Sequence, residues 1–180
     1  MIVLAVEQSG WTTAAIATIV ASIVSGAIAL LTFWANGVRQ ERSRRQQLYA
    51  DALASVVAYR EFAYVIRRRR APSPGHDEIA GEERVRISEA LRDVQKDLAY
   101  FSSWIRVKPT GDVADRFDEL VGQTRRLAGG YMHDAWNAEP LDSDAGMNIP
   151  DIDYKPLGQF ERAYLEAVRR SLGFWRVAFS

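Results

Sequence analysis

Arg67, Arg68, Arg69 and Arg70 form the densest run of charge in the sequence. Four adjacent guanidiniums can grip a polyanion such as a nucleotide, a nucleic acid or a lipid headgroup, because each offers several N–H donors in a rigid fork. A plainer role competes with that one. Cations suit a helix C-terminus, where they meet the negative end of the backbone dipole. Asp142, Asp144, Asp151 and Asp153 of a later loop would then neutralise the run. The structural role is the expected one, and an anion-binding sensor through Arg67–Arg70 is the alternative.

Other chemistry finds little support. His133 and Asp134 would be an acid/base pair on paper, but neighbours on a helix point about 100° apart and do not face each other. A di-iron bundle needs Glu-x-x-His pairs. His76 and His133 are the only histidines, and Ser73 and Gly130 stand three residues before them. The run AspSerAspAlaGly at 142–146 resembles a calcium loop, but its Gly falls at the fifth position instead of the sixth and no Glu closes it. There is no cysteine, which excludes thiol catalysis, thiolate metal sites and disulfides. No phosphate-binding glycine loop and no Gly-x-Ser-x-Gly elbow is present. Glu89, Asp93 and Asp97 alternate with Arg86, Arg92 and Lys96, as on an ordinary solvated helix face. No catalytic site, metal or cofactor is expected, and the chain does not read as an enzyme.

The strongest signal is physical. Residues 8–38 carry no charge. From Trp11 to Trp34 a helix would span roughly 35 Å, enough to cross a hydrocarbon layer of about 30 Å with some tilt. Trp11 and Trp34 fall where interfacial aromatics belong, and Arg39, Arg42, Arg44 and Arg45 follow directly. A secretory signal would need a basic start and a shorter apolar core, whereas this segment is preceded only by Glu7. Positive charge flanks the cytoplasmic side of a span. The expected topology is an external N-terminus and a cytoplasmic C-terminal domain in the inner (plasma) membrane, spanned once. The excess of arginine over lysine, twenty to three, hints at a bacterial source.

Within the span two ladders of small residues lie side by side: Ala14, Thr18, Ser22, Gly26 and Ala17, Ala21, Ser25, Ala29. In lipid, helices associate by close backbone approach, and small side chains permit it. This face is expected to pack on another transmembrane helix, from a second copy or from a membrane-protein partner. Zero net charge argues against bulk binding to nucleic acid, and none is expected as a partner. The bilayer itself is the other partner.

Four apolar seams with a three/four period follow. They run Tyr49, Ala52, Val56, Tyr59, Ala63, Ile66; then Ile87, Leu91, Val94, Leu98, Phe101, Ile105; then Val113, Phe117, Leu120, Thr124, Leu127, Tyr131; and Leu157, Phe160, Tyr164, Val168, Ser171, Trp175. AlaProSerProGly at 71–75 and LysProThrGlyAsp at 108–112 break the first three, with Asp112 placed to cap the third helix. Pro156 suits a first helical turn. The predicted fold is all-α: one transmembrane helix and an up-down-up-down four-helix bundle. The parts are a short external N-terminus (1–10), the span (11–35), a polar basic stalk (36–47) and a cytoplasmic domain (48–180). With no proline from Trp11 to Ile66, anchor, stalk and first bundle helix could form one long rod. Asn36-Gly37 is the one place where a break is expected. Function on this reading is interaction: a scaffold, an accessory subunit or a small oligomeric effector.

Overall fold

A computed structural model of the chain describes residues 5–69, 77–107, 112–140, 152–173 and 177–178, with side chains from residue 14 in the first stretch and from residue 81 in the second. The fold is all-α. Helix α1 spans Ala5–Arg67, α2 Asp77–Val107, α3 Val113–Asn137 and α4 Gly158–Ser171. A 3₁₀ turn at Lys155–Leu157, with Pro156 in its first positions, leads into α4. Among the described residues there is no strand.

The chain divides into two compact units, Met1–Ser43 and Arg44–Ser180. The first is helical from Ala5 onward, and every described side chain from Ala14 to Trp34 is exposed. Asn36 and Gly37 are helical, so the expected break does not occur. Glycine inside a helix costs about 1 kcal/mol relative to alanine. One such residue does not stop a helix that is favoured on both sides of it. The Asn-Gly pair reads as a stop only where the flanking sequence also loses its helical preference.

The second unit is built on a single core. Tyr49, Ala52, Val56, Tyr59, Ala63 and Ile66 are all buried along α1. Their three/four alternation is the seven-residue repeat that keeps one helical stripe facing its partners. From α2, Ile87, Leu98 and Ile105 are buried, while Leu91, Val94 and Phe101 are partly buried against the same core. The third seam departs from expectation. Val113, Phe117, Leu120 and Thr124 are buried as predicted, but the stripe continues through Ala128, Met132 and Ala135 rather than Leu127 and Tyr131. Apolar bulk does not decide the face. From Thr124 the stripe takes two steps of four, to Ala128 and Met132, and then one of three, to Ala135, as a helix of 3.6 residues per turn drifts off a strict seven-residue repeat. Leu127 and Tyr131 are left half-buried on the flank.

End-to-end contacts set the helix directions. Arg106 of α2 pairs with Asp118 of α3 across their short connection. Arg170 near the end of α4 meets Asp112 at the start of α3 at 2.7 Å. Arg60 of α1 pairs with Glu161 of α4 at 2.6 Å. The C-terminal end of α1 reaches the C-terminal end of α3 through Arg69. These contacts are consistent with an up-down-up-down bundle. Asp112 stands at the N-cap position of α3 but makes no side-chain cap. Its carboxylate accepts from Arg170 instead. Burial acts to raise its pKa, and the hydrogen bond from Arg170 and the nearby Arg170 and Arg116 charges outweigh it, so the group is held below the usual carboxylate range.

Candidate functional site

Two regions are candidates for a functional site, and each is described within its own unit.

The first is the apolar face of α1. Its large side chains are open: Ile16, Ile19, Ile23 (66% exposed), Ile28, Leu31 and Phe33 (81% exposed). The ladder residues Ala14, Ala17, Thr18, Ala21, Ser22, Ser25, Gly26 and Ala29 are exposed as well. A Cβ added at Gly26 would meet nothing within 4 Å. The polar atoms of the stretch are quiet. Thr18 donates its hydroxyl to the carbonyl of Ala14 at 2.9 Å, Ser22 to Thr18 at 2.8 Å and Thr32 to Ile28 at 2.8 Å. Each of these three hydroxyls is thus satisfied by its own helix one turn back, which is how hydroxyls are tolerated where no water is present. The helix is long and apolar enough to cross a membrane, with a mean hydropathy of 2.3 in its best window. At the polar boundary, Trp34 is exposed, as are Arg39, Arg42 and Arg44. Arg45, expected with them, is buried in the second unit. It falls in the compact unit that starts at Arg44. The side chain of Trp11 lies outside those described.

The second region is the arginine run at the end of α1. Arg69 is almost fully buried, at 9% exposure. Its Nη1 donates to the carbonyl of Ala135 at 2.5 Å and to that of Ile66 at 3.2 Å. Its Nη2 donates to Trp136 at 2.9 Å and to Ala138 at 2.5 Å. The guanidinium also stacks over the Trp136 ring, 5.2 Å from its centroid. The last carbonyls of a helix have no partner in their own helix. Arg69 supplies one to α3, so a residue from the end of one helix closes the end of another. Burial, and then the charge of Arg67, lower its pKa from the usual value, but an arginine remains protonated. Arg67 donates to the carbonyl of Glu139 at 2.6 Å. Arg68 is exposed, and Arg70 lies outside the described residues, as do Asp142, Asp144 and Asp151. Asp153 holds the backbone N–H of Lys155 at 2.9 Å. The described partners of the run are backbone carbonyls, that of Ile66 and those at and just beyond the end of α3.

Sequence reasoning missed a further cluster. Tyr154, just before the 3₁₀ turn, donates its hydroxyl to the carbonyl of Arg60 at 2.6 Å and packs edge-on against Tyr131. Arg60 lies over the Tyr154 ring and reaches Glu161. A lone aromatic among loop residues is the only signal that marks Tyr154 in the sequence. His133 and Asp134 do approach, at 3.6 Å, but both side chains are more than three-quarters exposed, so the pair is solvated.

No protein-family model, curated protein or solved structure matches the chain.

Proposed function

We propose that the protein is a single-span membrane protein whose α1 anchors a cytoplasmic helical domain, and that its task is interaction: scaffold, accessory subunit or small oligomeric effector. The observation that carries this is the exposure of one uninterrupted apolar surface from Ala14 to Phe33. Removing one large aliphatic side chain from water is worth about 1.5–3 kcal/mol. Eight such side chains from Ile16 to Leu31 have no reason to stand in water, and no described residue of their own unit covers them. Lipid is the occupant its length and its internally satisfied hydroxyls suit. The ladder of small residues is then a face for a second helix in the bilayer, most simply that of another copy, since identical faces can close by symmetry.

Orientation follows from Arg39, Arg42 and Arg44, which favour the cytoplasmic side, with the domain after them. Reporters active on only one side of the membrane, fused after Ser180, test this. A cytoplasmic reporter is expected to be active and an external one silent. Activity of the external reporter alone would overturn the topology. An anion site at Arg67–Arg70 has less support, because Arg67 and Arg69 already hold backbone carbonyls.

A further inference from the structure

We propose that the cleft between the C-terminal turns of α2 and the middle of α3 binds a phosphate group, held by Arg125 with help from Arg106 and Ser102. The cleft encloses about 400 Å³ and is lined by Ser102, Ser103 and Arg106 of α2 and by Asp118, Gly122 and Arg125 of α3. It lies wholly within the second unit.

Three observations converge on an oxyanion. The first is charge. Arg106 gives both Nε and Nη2 to a single oxygen of Asp118, at 2.9 and 2.5 Å. That pair neutralises the one carboxylate in the cleft and leaves Nη1 of Arg106 outside it. Arg125 makes no ion pair with any described residue, so the cleft keeps one uncompensated guanidinium. The second is hydroxyl chemistry. Ser103 donates to the carbonyl of Ala99 at 2.8 Å and is satisfied. Ser102, half-buried, makes no hydrogen bond to another described residue and retains a free O–H donor. The third is Gly122. A glycine in mid-helix costs about 1 kcal/mol relative to alanine. A Cβ at this position would meet nothing within 4 Å. No packing contact therefore requires glycine here. What its absent side chain provides is open space above the α3 backbone, on the wall of the cleft.

Fork-shaped N–H donors and a hydroxyl around an open space suit the several acceptor oxygens of a phosphate better than a single neutral acceptor. The same chemistry serves a soluble phosphomonoester or a lipid headgroup. The site shares no residue with Arg67 and Arg69, whose partners lie at the C-terminal end of α3.

The test uses the full chain in nanodiscs of neutral lipid, with thermal unfolding of the helical signal as readout. Inorganic phosphate, titrated against chloride at matched ionic strength, is expected to raise Tm saturably. In a second arm, phosphatidic acid replaces part of the lipid and no free phosphate is added. A rise there identifies a headgroup as a source, and a rise only with free phosphate identifies a soluble ligand. Arg125→Gln is expected to abolish the rise. Gly122→Leu is expected to unfold at the same or higher temperature without ligand, since it removes a helix-interior glycine, and to lose the response. Arg68→Gln, exposed and remote, should retain it. The absence of a saturable rise in both arms, or an equal rise in wild type and Arg125→Gln, would overturn the proposal.

Discussion

The hydroxyl of Tyr164 donates to the backbone carbonyl of Tyr49 at 3.0 Å, joining α4 to α1 across 115 residues of sequence. The Tyr164 ring is fully buried and packs on Phe117 of α3 with centroids 5.4 Å apart. One side chain thus ties three helices. Tyr164→Phe keeps the ring and removes only the bond. The Tyr49 carbonyl sits in mid-helix and keeps its own helical partner, so the loss is expected near the low end of about 0.5–1.5 kcal/mol. Tyr164→Ala adds a cavity and should cost about 3–5 kcal/mol. Chemical denaturation of the two variants, compared at equal m-value, checks the ratio.

Arg69 and Arg68 are adjacent in sequence and opposite in role. Arg69→Gln would strip the carbonyls at the end of α3 of their donors, and hydrogen bonds from charged groups are worth about 1.5–3 kcal/mol. Arg69→Lys should rescue little, since an ammonium cannot reproduce the fork or the stacking on Trp136. Arg68→Gln is expected to fall within about 0.5 kcal/mol of wild type. Equal losses at the two positions would show that the run acts only as summed charge. Hydrogen exchange should localise the Arg69 effect to the last turn of α3.

Alkaline pH should weaken the second unit. Burial, with Tyr64 and Glu61 nearby, pushes the Tyr154 phenol up to about 12. Burial pushes Tyr164 up as well. In the unfolded chain a tyrosine loses its proton near pH 10. Between that pH and the folded value, the native state holds more protons than the unfolded state, so stability falls as pH rises. The contribution is fully present below about pH 10 and is lost as pH approaches 12. Tyr154→Phe should flatten this decline between pH 10 and 12, read by denaturant midpoints. An unchanged slope would remove Tyr154 from the cause.

Replacing both Ser22 and Gly26 with leucine keeps α1 apolar and blocks close backbone approach. Crosslinking in native membranes is expected to lose dimer or higher bands, or the band of a partner subunit. The variant should still insert, because leucine is among the most favourable residues at the centre of a span. Association equal to wild type would reduce the ladders to tolerated composition.

Most of the architecture was legible because it is carried by periodicity. All six residues of the first seam are buried, and the break at 108–112 falls between α2 and α3. Where the sequence misled, a local signal competed with a cooperative one. Asn36-Gly37 looks like a helix end, and α1 runs through it. Asp112 looks like a cap, and a cation from α4 takes its carboxylate. Leu127 and Tyr131 look like core, and smaller Ala128 and Met132 hold the face. Arg69 and Tyr154 were illegible for another reason. Their partners are backbone carbonyls, which every residue has, so nothing in the sequence marks where such a donor will land. The cleft at Arg125 was hidden likewise, because it depends on which exposed faces of α2 and α3 adjoin.

The bond from Tyr164 to Tyr49, the Arg60–Glu161 pair and the grip of Arg69 on Ala135 share a consequence for how the chain folds. They span 115, 101 and 66 residues. Contacts that distant must wait for loop closure, so they form late and slow the reaction. During synthesis the α1 stripe from Tyr49 to Ile66 leaves the ribosome long before the helices that cover it. Its buried face is then an open apolar surface for as long as α3 and α4 take to emerge, at about 5–20 residues per second. The nascent chain, rather than the finished protein, is the form most exposed to aggregation and most in need of a chaperone's hold.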